Sequence, residues 1–294
     1  MKPGTIEEMK LTFDQLYKNL AQQVQSGDLE SARNSVDELR RRIQDEITGS
    51  ERRHILRNID EVLDGRKEAF VLDYGCGGGR TVAYLTLLGF TNVYGVDLKS
   101  QDSNNTIMEL LGVESTRCFQ YDGAILPFDN EMFDLVFSEQ VLEHVHDIDG
   151  YYRESSRILK PGANAFFSFP HRYIPYDAHG NTWFVHMLPR PTTRFCYRVM
   201  GRDVDRLTDL LNFQTISYHK DVAMRYFDDV TNVASDRLRR FSPDDLQRYK
   251  GNRKLRKVID RLVKSDILGR PVLLLIERFT IADLLMRKPA QVKP

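Results

Sequence analysis

The stretch Ala69-Phe70-Val71-Leu72-Asp73-Tyr74-Gly75-Cys76-Gly77-Gly78-Gly79-Arg80 decides the fold. Its first six residues are a short, mostly apolar run that lacks the alternation of a half-wetted strand, the pattern of a strand buried on both faces of a parallel sheet. The glycines that follow let the backbone turn sharply and come close to a ligand. The helix beyond them presents unpaired N–H groups to whatever sits there. A dinucleotide fingerprint, Gly-x-Gly-x-x-Gly, needs glycine at position 80, where Arg80 stands instead. The pattern present is Asp-x-Gly-x-Gly-x-Gly, from Asp73 to Gly79.

Downstream, strands and helices alternate. The spacing predicts a helix over Thr81–Leu88, a strand at Val93–Asp97, a helix around Thr106–Leu111 and a weaker strand near Arg117–Tyr121. A strand at Phe133–Ser138 follows, then a helix from about Gly150 to Leu159, a stop at Lys160-Pro161-Gly162 and a strand at Asn164–Phe169. With further strands expected at Phe213–Tyr218 and Pro271–Phe279, the fold class is α/β, a doubly wound, mostly parallel seven-stranded sheet joined by right-handed crossovers. Residues 1–66 form an N-terminal helical extension, with Leu16 and Leu20, then Ala32, Val36 and Leu39, then Ile59 and Val62 at helical spacing. It is expected as a cap on the main domain, 67–294, with a homodimer through these helices as the alternative. Within that domain, residues 170–200 run through aromatics, His and Pro, too long for an ordinary connection, and are expected to form a lid. Residues 221–268 are expected as a helical insertion rich in Arg and Lys.

Bulk properties narrow the function. The 294 residues are 41% hydrophobic and 29% charged, and Lys plus Arg equals Asp plus Glu at 42 each. That balance speaks against nucleic acid as a partner. Cys76, Cys118 and Cys196 fit no zinc spacing and read as free thiols of a reducing compartment. The polar start has no signal core, and no apolar run approaches the roughly 20 residues that cross a bilayer. The expectation is a cytoplasmic, soluble protein with no transmembrane segment.

The Asp73–Gly79 pattern resembles the first motif of class I S-adenosylmethionine-dependent methyltransferases at every defined position. Asp97, about 20 residues beyond the glycines at the end of a strand, stands where an acid can accept ribose hydroxyls. Gln120-Tyr121-Asp122-Gly123, Phe128 to Val136, Ser138 to Val145 and Arg157 to Gly162 resemble the family's later landmarks in the same order. The resemblance covers roughly residues 68–219 and the last strand, and it is closest to the small-molecule and quinone-biosynthesis subgroup. It implies S-adenosyl-L-methionine as cofactor, held by Asp73, Gly75, Cys76, Gly77, Gly79, Asp97, Leu98, Asp122, Gly123 and Glu139. In that arrangement the glycine loop faces the amino-acid end of the cofactor, Asp97 the ribose and Asp122 the adenine.

The acceptor side is sought at the carboxyl ends of the fourth and fifth strands, where an open sheet binds ligands. Five of the seven histidines lie between positions 144 and 186, and imidazole is the usual base for a hydroxyl near neutral pH. His171, just after the fifth strand, is the expected general base, with His144 as competitor. Tyr173, Tyr176, His179, Trp183 and His186 of the lid are the expected acceptor-binding residues, since aromatic faces stack while polar groups read hydroxyls. Some relatives bind a metal through Glu-x-x-Glu-His, but Gln140 stands in place of the first Glu here, leaving Glu143 and His144; a metal would have to recruit His179 or His186, and none is expected. The lid is similar to loops in methyltransferases of surface-polysaccharide clusters. The leading expectation is therefore O-methylation of a saccharide or other polar small metabolite. The alternatives are an aromatic, quinone or natural-product acceptor, and a scaffold protein that binds the cofactor without catalysis.

Overall fold

Burial of apolar side chains on both faces makes β1 (Phe70–Tyr74) the axis of the molecule: Val71 and Leu72 are both completely inaccessible, and they point into different cores. The computed structural model describes residues 13–47, 53–113, 116–236, 257–258, 261–265 and 269–290. On one side of β1 lie β2 (Asn92–Asp97) and β3 (Cys118–Gln120); on the other lie β4 (Phe133–Glu139), β5 (Leu159–Phe169), β9 (Ala282–Arg287) and β8 (Asp229–Asn232). Strands β1 to β5 pair in parallel, while β9 runs antiparallel to both of its neighbours. The sheet is thus seven-stranded and mostly parallel, in the order β3-β2-β1-β4-β5-β9-β8.

The two-residue period of the strands sorts their side chains between two apolar layers. Val71, Leu135, Phe137 and Phe166 join one cluster; Leu72, Val136, Ala165 and Phe167 join the other. The first cluster is shared by α1 (Phe13–Ser26), α2 (Leu29–Ile47), α3 (Arg53–Leu63), α4 (Arg80–Leu87) and α5 (Asp102–Leu110). Phe13, Leu20, Val36, Leu39, Ile59 and Leu63 are all nearly inaccessible there, so the N-terminal helices complete the main core. The second cluster lies under α6 (Ile148–Ile158) and α9 (Ile216–Ala223). Between β5 and α9 the lid folds as a two-stranded hairpin, β6 (Tyr176–Asp177) and β7 (Thr182–Trp183), followed by α7 (Arg190–Val199) and α8 (Val204–Asp209). Among the described residues no helix is long and apolar enough to cross a membrane.

Several expected elements differ. Residues 213–215 form no strand; Thr215 instead caps α9, its Oγ1 accepting the Tyr218 N–H at 3.1 Å. The apolar run at 271–279 is not the last strand but most of α10 (Gly269–Glu277). A short apolar run is compatible with a strand or a buried helix, and periodicity alone does not separate them. The last strand lies further on, at β9. Strand β8 falls inside the insertion expected to be helical; its basic run, 237–256, lies outside the described residues. Lys160-Pro161-Gly162 does not end before β5 but bulges within it, as the ladder jumps from Phe133↔Leu159 to Leu135↔Asn164.

Asp134 ties the amino ends of three strands. Its Oδ2 accepts the Phe70 N–H at 2.9 Å and the Lys160 ammonium at 2.8 Å, and Arg66 stands 3.5 Å from Oδ1. Burial pushes this carboxyl up, but the Lys160 and Phe70 hydrogen bonds outweigh it and hold it below the ordinary Asp value. Asp134→Asn is expected to destabilise the fold by about 1–3 kcal/mol at neutral pH. Because the folded pKa is depressed, the contribution is complete above the unfolded carboxyl's pKa and lost as pH falls through the folded value. Urea midpoints of variant and wild type should therefore converge in acid.

Candidate active site

The strand order reverses between β1 and β4, and the crevice outside their carboxyl ends is where such sheets bind ligands. The chain leaves β1 through Gly75, Gly77 and Gly79, whose φ values of +87°, +51° and +69° lie in the left-handed region. At Gly75 a Cβ would also collide with the Val141 side chain. The loop is tied to β2 on one side: the Gly75 and Cys76 N–H groups both donate to the Val96 carbonyl, at 2.8 and 3.0 Å. Asp97, the next residue, accepts the Gly77 N–H on Oδ2 at 2.9 Å and the Lys99 N–H on Oδ1 at 3.2 Å. On the other side, the Tyr17 hydroxyl of α1 donates to the Gly78 carbonyl at 2.7 Å, and the Asn104 amide of α5 donates to the Gly77 carbonyl at 2.9 Å. An ion pair of 3.0 Å between Asp14 and Arg80 adds a second tether to α1.

Most of the residues expected to hold a cofactor meet here. Asp73 is buried at the end of β1. The Cys76 thiol turns inward, donating to Gln101 Oε1 at 3.3 Å, so this residue offers the crevice its backbone. Leu98 is exposed, and Gly123, at φ +90°, packs so closely that a Cβ would lie 3.2 Å from Leu98 Cδ2. Asp122 Oδ1 accepts the Ala124 and Ile125 N–H groups at 2.9 and 3.3 Å, and these bonds hold its carboxyl below the ordinary Asp value. Glu139 is half-buried at the end of β4. Tyr17 and Asn104 are functional neighbours that the motifs do not reveal, because they approach the loop from helices that precede and follow it.

The side expected to take the acceptor comprises the turn after β4 and the segment expected as a lid. Gln140 takes a left-handed φ of +57°, its N–H donating to the Ser168 carbonyl at 2.8 Å, and the chain then closes a 3-10 turn over Leu142–His144. Glu143 is buried with both carboxylate oxygens lacking a hydrogen-bond partner among the described residues. Burial pushes its carboxyl up to about 7. His144 Nε2 lies 4.0 Å from Glu143 Oε1, and the His144 and His179 rings meet edge-on with centroids 5.1 Å apart. Burial and the neighbouring His179 lower the His144 pKa. Asp177, buried in the hairpin, accepts from His179 Nδ1 at 3.3 Å and raises the pKa of that ring.

The remaining lid residues are dispersed. Tyr176 and Trp183 pair across the hairpin, rings 5.2 Å apart and exposed, and Tyr173 is exposed too. His186 is buried against Phe213, with centroids 5.1 Å apart and Nδ1 without a hydrogen-bond partner among the described residues, and burial lowers its pKa. His171, the expected base, is buried with both ring nitrogens engaged by backbone. Nε2 lies 2.9 Å from the Thr280 carbonyl, and Nδ1 accepts the Tyr173 N–H at 3.2 Å. That pairing fixes Nε2 as the protonated nitrogen, and burial lowers the pKa of the ring.

Residues 72–167 match the family described as a methyltransferase domain. Over these residues the chain is similar to methyltransferases. The match begins inside β1 and ends inside β5, and so takes in the glycine loop, Asp97, Asp122 and the Glu143 turn. The chain is 30% identical over 148 residues to a ubiquinone biosynthesis O-methyltransferase of Nitrosomonas europaea, covering 48% of this chain and 61% of that one. It is 35% identical over 147 residues to the protein of the same name in Pseudomonas putida, covering 47% and 60%. The chain therefore spans about three fifths of the length of these relatives. A solved S-adenosylmethionine dependent methyltransferase from Mesorhizobium loti aligns with a TM-score of 0.45 at 20% identity, over 75% of this chain and 91% of that one.

The glycine loop is clamped by Tyr17 from outside the family match, which makes the N-terminal helices part of the loop's rigidity. Tyr17→Phe removes one hydrogen bond to a loop carbonyl, worth about 0.5–1.5 kcal/mol. Calorimetric titration with S-adenosylhomocysteine should show affinity lower by roughly 2–12-fold, with the fold retained.

Proposed function

We propose that the protein transfers the methyl group of S-adenosyl-L-methionine to a hydroxyl of a small ring-bearing molecule. The observation that carries this reading is the glycine loop. An added Cβ at Gly77 or Gly78 would meet nothing within 4 Å, so its backbone lies open to the crevice with the Asp97 carboxylate beside it. Bound there, the cofactor supplies a methyl group activated by a sulfonium. Asp73 and the loop backbone would hold its amino-acid portion, Asp97 its ribose hydroxyls, and Leu98, Asp122 and Gly123 its adenine. Glu139 would close the same pocket from β4. The protein's task is then to orient the acceptor oxygen in line with the methyl and to hold water out.

The acceptor would enter between the Glu143 turn and the lid, with His144 and His179 lining its polar side. Tyr173, Tyr176 and Trp183 offer exposed aromatic faces at the lid, which suit a flat or sugar ring. Two relatives are named for ubiquinone biosynthesis and O-methylation, and their names put a quinone-type phenolic acceptor ahead of a saccharide. We assign His171 a positioning role, since its nitrogens are spent on Thr280 and Tyr173. His171→Ala should lower the thermal midpoint, while the shape of the pH–rate profile stays as in the wild type; a lost limb of that profile would restore it as the base.

Two measurements test the main reading. S-adenosylhomocysteine should bind the wild-type chain, and Asp97→Ala should weaken it by roughly 10–100-fold, the worth of a charged hydrogen-bond pair. Labelled methyl should pass to a catechol-type acceptor in preference to a free saccharide. A chain that binds no S-adenosylhomocysteine would overturn the assignment, and one that binds but labels neither class would leave the scaffold alternative.

A further inference from the structure

Glu143 poses a physical problem that the fold leaves unsolved. Its carboxylate is inaccessible, and neither oxygen has a hydrogen-bond donor among the described residues. As an anion it lacks the compensation that a buried charge requires, and as an acid its O–H lacks an acceptor. The groups nearest to it are two imidazoles. Glu143, His144 and His179 each offer one ligand atom, and these atoms all lie within 4.8 Å of one another.

The His179 ring is held from behind. His179 turns Nδ1 to the buried Asp177 carboxylate, which leaves Nε2 as its free nitrogen. His144 points Nε2 toward Glu143, 4.0 Å from Oε1. A carboxylate or carbonyl behind a ligating histidine is the usual outer support of a metal site, fixing tautomer and ring orientation. The cluster also has an open side: the His144 and His179 side chains are 47% and 27% exposed, while that of Glu143 is 0%.

We infer that Glu143, His144 and His179 bind one divalent first-row transition-metal ion, which staples the lid hairpin to the turn after β4. Two imidazole nitrogens and one carboxylate oxygen suit Mn²⁺, Co²⁺, Ni²⁺ or Zn²⁺, whereas Mg²⁺ and Ca²⁺ prefer sites made wholly of oxygen. Three protein ligands leave coordination positions free, as in sites that admit a substrate oxygen. The sequence spacing, with Gln140 in place of an acid, predicts no metal. The third ligand comes from the lid, 35 residues beyond His144, where no local spacing could announce it. The inference deepens the proposed function, since the open positions face where an acceptor hydroxyl would sit, but cation binding itself requires no acceptor.

The test uses the full chain after chelator treatment, titrated with Co²⁺, Mn²⁺ and Mg²⁺ by calorimetry, with the visible absorption of bound Co²⁺ reporting its ligands. One Co²⁺ per chain is expected, bound more tightly than Mg²⁺. Glu143→Gln and His179→Ala should each weaken it by roughly 10–100-fold or more, the loss that even an outer-support residue produces. His146→Ala, exposed and outside the cluster, should not. Titration of the same variants with S-adenosylhomocysteine separates the two readings. Retained cofactor binding with lost Co²⁺ binding supports the site. Absent cofactor binding with Co²⁺ bound as described sinks only the methyl-transfer reading. A folded wild-type chain that binds no Co²⁺ or Mn²⁺, or a His179→Ala chain that binds Co²⁺ as the wild type does, would overturn the inference.

Discussion

The site depends on two backbone N–H groups sharing one carbonyl. Gly75 and Cys76 both donate to Val96 at the end of β2, at 2.8 and 3.0 Å. The chain makes this turn with Gly75 at φ +87°, a conformation in which a side chain is strained. With the turn fixed, the Gly77 N–H faces Asp97, and the acid expected at the ribose is held across the loop expected at the amino-acid end. The cofactor half of the crevice is thereby organised by hydrogen bonds that need no ligand to form.

The N-terminal helices reinforce that arrangement. Tyr17 is buried in the same core as Val71 and Val82, so its hydroxyl reaches Gly78 from a fixed position. A loop whose carbonyls are held by Tyr17 and Asn104, and whose N–H groups are held by Val96 and Asp97, has its shape fixed before a ligand arrives. The helices thus contribute through packing, although nothing in their composition marks them as part of a site.

The half proposed for the acceptor is built differently. It gathers a buried Glu143 carboxylate and a His186 nitrogen that lack hydrogen-bond partners among the described residues, and left-handed backbone at Gln140, Asn181 and Phe184. Strain and unsatisfied polar groups gather where function has overridden stability. The lid supplies most of them, and it is anchored through Asp177, whose carboxylate accepts from His179, Gly180 and Tyr197 together. One buried acid therefore sets both the shape of the hairpin and the aim of His179.

The sequence by itself determined the sheet and its loop. Runs such as Val71-Leu72 and Leu135-Val136 are apolar on both faces because both faces are covered, and Gly75, Gly77 and Gly79 announce a turn that side-chain sterics forbid to other residues. Those signals are local, and local signals survive in one dimension. Where the local signal was degenerate, as in the apolar run at 271–279, only packing could choose helix over strand. The tertiary structure alone decided which histidines matter. His171 follows β5 directly yet is consumed by the distant Thr280 carbonyl, while His179 is carried by the lid to Glu143 and His144. An imidazole's role is set by what its two nitrogens meet, and those partners lie across loop closures that no spacing along the chain records.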